Sequence, residues 1–204
     1  RNIQSARARQ RTYYERFMEK EGVPVVEGFG VTDVRNLQLK NWQRLGCDGA
    51  YLQFRGLEGI TGVYVGKLAP GAATQPERHL YEKVIYILQG EGVAEMQQRD
   101  RVPQTISWQT GSLFSPPMNV LHRLMNHGSE PALFLAVTTA PMALDHYHNE
   151  AFIFNSEFAF NDRYDGEAGY FDPGVERYLA SNNRQWIWET NFIPDARRAQ
   201  LDAQ

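Results

Sequence analysis

Between Ala50 and Ala140 the chain is a train of short runs rich in β-branched and aromatic residues, punctuated by Gly, Pro and Asn. The runs are AYLQF (50–54), TGVYVGKL (61–68), KVIYIL (83–88), GVAEM (92–96), TISW (105–108), SLF (112–114), VLHRLMN (120–126) and ALFLAVTTA (132–140). Such runs, recurring every ~8–12 residues, are the strands of an all-β sandwich or barrel. No helical pattern separates them, which argues against a parallel α/β sheet.

The flanks read differently. Residues 5–20 (SARARQRTYYERFMEK) lack Gly and Pro and predict a helix, with Ser5 placed to cap its start and Gly22 and Pro24 to stop it. Residues 23–31 read as extended, and 32–48 carry only a weak amphipathic pattern. After Pro141 the strand pattern dissolves into a stretch rich in aromatics, Asn and Asp. Each buried aromatic removes roughly 150–250 Å² from water, so this stretch is expected to wrap the barrel rather than act as a linker. The organisation is therefore an N-terminal helix and arm (1–49), a barrel (50–140) and a C-terminal extension (141–204).

Composition excludes several classes. The 204 residues suit one domain, and 42% hydrophobic with 22% charged residues excludes wholesale disorder. A net charge of −3 gives no global attraction to nucleic acid or anionic lipid. No run approaches the ~18 apolar residues of a spanning helix, and the N-terminus shows no apolar signal region. The single cysteine, Cys47, excludes an internal disulfide and a Cys-rich metal site. A cytoplasmic protein with neither nucleic-acid nor membrane partners is expected. There is no Gly-rich phosphate loop and no G-x-S-x-G elbow.

Two segments carry the chemistry. The first is Gly71-AATQP-Glu77-Arg-His79-LYE-Lys83-VIYILQ-Gly90, and the second is Gly111-SLFSP-Pro117-Met-Asn119-VL-His122-RLM-Asn126. Their spacing resembles the paired motifs of the cupin superfamily (RmlC-like). The first of these reads Gly, five residues, His-x-His, three or four residues, Glu, six residues, Gly. The second reads Gly, five residues, Pro-x-Gly, two residues, His, three residues, Asn. The resemblance covers roughly 50–140 and implies a double-stranded β-helix, or jelly-roll, barrel. In typical cupins the three histidines and the glutamate hold a divalent metal. Here Glu77 stands at the first histidine position and Lys83 at the glutamate position, while His79 and His122 are kept. Asn119 replaces a turn glycine, a mild change because Asn tolerates φ > 0.

Alternation along a strand agrees with that register. If Ile85 and Ile87 point inward, so do Glu77, His79 and Lys83, and His122 can meet them. Two readings stay open. In one, Glu77, His79 and His122 bind a divalent metal, Fe(II) or Mn(II) ahead of Ni(II) or Zn(II), with open positions for substrate or oxygen. In the other there is no metal, and the Lys83 ammonium stands where its charge would be, paired with Glu77. The other histidines are assigned to solvent (His127) and to docking of the extension (His146, His148).

The segments ERHLYE, YHNE-x-FIF and WETNF-x-PD are similar to bacterial cupins with two barrels. The resemblance implies a metal-dependent enzyme acting on a small oxygen-bearing, anionic substrate. An oxygenase of dioxygenase type comes first, with Lys83 pairing a substrate carboxylate and Glu82 or Tyr81 moving a proton. The alternatives are a metal-free binding or structural barrel, or a lyase or isomerase. A homodimer is expected, and a second cupin barrel is a further possible partner.

Overall fold

The computed structural model describes residues 10–172 and 191–197, together with the backbone of 175–178 and 186–189. In chain order the elements are α1 (Tyr13–Glu21), β1 (Val25–Gly28), a 3-10 turn at Val34–Asn36, β2 (Lys40–Trp42), β3 (Cys47–Phe54), β4 (Gly62–Leu68), β5 (Lys83–Gln89), β6 (Glu91–Gln97), β7 (Gln104–Gln109), β8 (Leu113–Phe114), β9 (Leu121–Asn126), β10 (Ala132–Thr138), α2 (Ala140–Tyr147), α3 (Glu150–Asn155), β11 (Val175–Tyr178), β12 (Trp186–Glu189) and β13 (Phe192–Ile193). Each of the eight runs read from the sequence is the seat of one of the strands β3 to β10.

The strands form a large sheet in the order β1-β3-β4-β10-β5-β8-β13, with β2 also on β3, and a smaller sheet β7-β6-β9. β10 is antiparallel to both neighbours, pairing Ala136 with Tyr64 on one side and with Ile85 on the other. Alternation along β5 buries Lys83, Ile85 and Ile87 and leaves Val84 more exposed. The core between the sheets is filled by Ile85, Ile87 and Phe114 from one and Ala94, Met96, Trp108 and Leu124 from the other. Gly66 lets the Phe134 ring lie directly against its backbone, where any Cβ would collide. This is the all-β architecture that the strand spacing predicts, and it agrees with the jelly roll that the resemblance implies.

The helices differ from the sequence reading. α1 begins at Tyr13, and Ser5 lies outside the described residues. Its cap is Thr12, whose hydroxyl accepts from the Glu15 amide while the Glu15 carboxylate accepts from the Thr12 amide. Gly22 ends it in the left-handed region, at φ +72°. The extension contains two short helices that aromatic content concealed. Pro141 sits in the first turn of α2, a position proline favours, and Asn149 caps α3 by accepting from the Phe152 amide. No described helix is long and apolar enough to cross a membrane.

Candidate metal centre

The site is built where the segment before β5 runs antiparallel to β9. Glu77 and His122 exchange both backbone hydrogen bonds, at 3.0 and 2.9 Å. That pairing sets their side chains side by side. Asn119 makes the turn into β9 at φ +60°, as expected of an asparagine at a glycine position. Its amide N–H donates to the His79 carbonyl at 3.1 Å, and its side-chain NH₂ donates to the Ser156 and Phe158 carbonyls. One residue thus ties the segment carrying His79 to the extension.

Both histidines have a fixed tautomer. His79 Nδ1 lies 2.8 Å from the Tyr81 carbonyl and His122 Nδ1 2.9 Å from the Val120 carbonyl. A carbonyl only accepts, so each Nδ1 carries the hydrogen and each Nε2 presents a lone pair. The Nε2 atoms and the Glu77 carboxylate converge so that one donor atom from each lies within 4.8 Å of the others. His79 Nε2 is buried with no hydrogen-bond partner. Two neutral imidazoles and one carboxylate suit a divalent metal of the Fe, Mn or Ni type. A buried lone pair without a partner is what such an ion would satisfy.

Lys83 contests that arrangement. Its ammonium donates to Glu77 Oε1 and, at 3.1 Å, to His122 Nε2. The Lys83 side chain is 1% exposed and that of Glu77 13%. The second Glu77 oxygen accepts from Arg44 Nη1 at 3.0 Å, and Arg44 Nε donates to Glu21 at 2.6 Å. The Arg44 guanidinium also lies over the rings of Phe17, Trp42 and Phe154, at 5.2–5.5 Å. With neutral imidazoles, the two carboxylates and two cations balance.

The charges act on one another accordingly. Burial alone would raise the Glu77 carboxyl, but Lys83 and Arg44 override it and hold it well below the usual carboxylate range. Burial, reinforced by Lys83, keeps His79 neutral and pushes His122 down to about 4. Burial also draws Lys83 below the ordinary lysine value, against the pull of Glu77.

Of the other predicted residues, Tyr81 is buried and stacks on His79. Glu82 is not brought to the cluster. Just before β5 it faces outward, where it pairs with Arg163 at 3.1 Å and its side chain is 52% exposed. His146 and His148 lie at the end of α2 rather than on a strand, and His148 stacks on Tyr13 of α1. His127 is exposed. Sequence reasoning missed Arg44 and Glu21. They come from a turn and a helix end far from both motifs, and only the docking of α1 over the barrel mouth brings them in. The roof is closed by Phe17 of α1 against Phe154 of α3, at 5.6 Å, and by the Leu80 amide donating to the Ile153 carbonyl.

Residues 64–138 match the family model of the cupin domain. No curated protein sequence matches the chain. Among solved structures, oxalate decarboxylase from Lactobacillus farciminis, in a formate complex, is 18% identical over 57% of this chain and 40% of its own, with a TM-score of 0.46. The Mn(II) oxalate decarboxylase of Bacillus subtilis is 22% identical over 39% of this chain and 22% of its own, at 0.38. Peruvianin-I from Thevetia peruviana latex is 19% identical over 53% of this chain and 71% of its own, at 0.47. The chain spans less than half the length of either decarboxylase. Residues 64–138, which hold the paired motifs and most of the barrel strands, thus match the cupin domain.

Proposed function

We propose that the barrel is a metal-dependent cupin enzyme acting on a small oxygen-bearing anion, with Fe(II) or Mn(II) held by Glu77, His79 and His122. The observation that carries the reading is the convergence of three donors within 4.8 Å, one of them a buried imidazole nitrogen with no partner. Such an ion supplies Lewis acidity to substrate oxygens and, for iron, access to dioxygen chemistry. The protein's own groups bind and orient. Tyr81 fixes the His79 ring, and the Val120 carbonyl fixes the His122 tautomer. Lys83 and Arg44 are two cations on the one Glu77 carboxylate, a charge pattern that suits pairing with a substrate carboxylate. Arg44 and the Phe17–Phe154 roof keep water out, so substrate enters when α1 and α3 part. The favoured reaction class is oxygenase; a lyase or isomerase would use the same binding groups.

A metal-free binding or structural barrel is the second reading. The ammonium of Lys83, in contact with two of the three donors, favours it.

Elemental analysis of protein purified without chelators separates the two. Near-stoichiometric Fe or Mn that disappears in His79→Ala and His122→Ala supports the enzyme and justifies oxygen-uptake assays with small carboxylic acids. Absence of metal, even after anaerobic loading with Fe(II), retires it in favour of the metal-free barrel.

A further inference from the structure

We propose that Lys83 is the resident cation of this cluster, and that a divalent ion enters only by displacing its ammonium. The inference rests on the metal reading of the same three donors and adds a competitor built into the chain.

Three observations carry it. First, Lys83 Nζ engages Glu77 Oε1 and the Nε2 lone pair of His122, two of the three atoms a metal needs. The lone pair it leaves untouched, His79 Nε2, is the one with no partner. Second, the lysine cannot retreat by shifting its backbone. It is the first residue of β5 and pairs with Thr138 of β10. Its carbonyl accepts from the Ser115 hydroxyl at 2.8 Å. Its side chain is buried, with Nζ 5.9 Å from the centre of the Tyr64 ring. Third, the cluster is already balanced. Glu77 and Glu21 offset Lys83 and Arg44, so an added divalent charge has no unpaired carboxylate to meet. Like charges held this close in a desolvated space repel strongly, so metal binding and the Lys83–Glu77 contact exclude one another.

Removing the lysine charge while keeping its stem should therefore raise metal affinity. Lys83→Met suits this, because Glu77 keeps Arg44 as a partner. Lys83→Gln is the second variant should the first fold poorly. Binding of Mn(II) alone is measured by equilibrium dialysis for wild type and both variants, with folding checked by circular dichroism and His122→Ala added in the Lys83→Met background. The expected result is at least tenfold tighter binding in the Lys83 variants, abolished by His122→Ala.

Tight wild-type binding with no gain in the variants overturns the resident-cation role and leaves the metal reading standing. Binding only in the variants supports the role and retires the metal enzyme for the native chain. A folded Lys83→Met that binds no Mn(II) overturns both.

Discussion

The rings of His79 and Tyr81 lie face to face, with centroids 3.9 Å apart and planes 4° from parallel, while the Tyr81 carbonyl accepts from His79 Nδ1. One residue thus fixes both the tilt and the tautomer of an imidazole two positions away. The ring supplies the tilt and the backbone the tautomer, so side-chain changes separate them. Tyr81→Phe keeps the stack and is expected to leave Mn(II) affinity within about twofold. Tyr81→Leu loses a stacking contribution of about 0.5–1.5 kcal/mol. It should weaken metal binding through a freer His79, with stability followed by urea unfolding. Equal affinity in Tyr81→Leu would mean that the carbonyl alone holds the imidazole.

Among the described residues, Glu77 is the carboxylate that pairs with Lys83. Glu77→Gln strands an ammonium that is 1% exposed, and breaking a buried pair from one side costs about 3–5 kcal/mol. Glu77→Gln/Lys83→Met removes the stranded charge and should recover much of that loss. A double-mutant cycle in urea measures the coupling; additive single and double effects would contradict the pair.

The histidines give the barrel an acid-labile centre. His122 is held down to about 4, so between there and the ordinary histidine value of about 6.5 the unfolded chain binds a proton that the folded chain does not. Stability therefore rises with pH across this window and is lost on acidification, by up to roughly 3 kcal/mol from His122 alone. His79 acts in the same direction. Glu77, held low, stabilises above the carboxylate range and ceases to do so only as pH falls beneath it. Urea midpoints measured from about pH 7 down to about pH 4 should decline, and His122→Gln should flatten the slope by close to one proton.

Asn119 has two duties that substitution can separate. Asn119→Gly suits the φ of +60° but leaves the Ser156 and Phe158 carbonyls without their donor. Two lost hydrogen bonds predict about 1–3 kcal/mol. Asn119→Ala loses the same bonds and adds left-handed strain of roughly 1–2 kcal/mol. Thermal unfolding should rank wild type above Gly and Gly above Ala; Gly and Ala unfolding together would remove the strain argument.

How much of this was legible in the sequence follows from where each interaction lies along the chain. The eight strands were readable because alternation and Gly/Pro punctuation are local. His79, Lys83 and His122 were readable because the two motifs that resemble those of cupins mark their positions, and alternation agrees with that register. Arg44 was not, because its partners Glu21 and Glu77 depend on α1 docking over the mouth, a contact that no periodicity announces. α2 and α3 were missed for a different reason: their exposed aromatics, such as Tyr147 and Phe152, mask the helical period. Glu82, a candidate for proton transfer in the sequence, pairs with Arg163 of the extension, a partner that no local pattern announces.

The position of β10 also governs how the molecule is made. This strand is zipped between β4 and β5, so neither ladder is complete until the last of its residues, Thr138, has been synthesised. By then about 70 residues have been added since the end of β4, which takes several seconds at roughly 5–20 residues per second. Throughout that interval β4 has one bare edge, and the segment carrying Glu77 waits for His122 on a strand not yet translated. The sheet edge that β10 covers is thus open to other chains for as long as residues 69–138 take to be made.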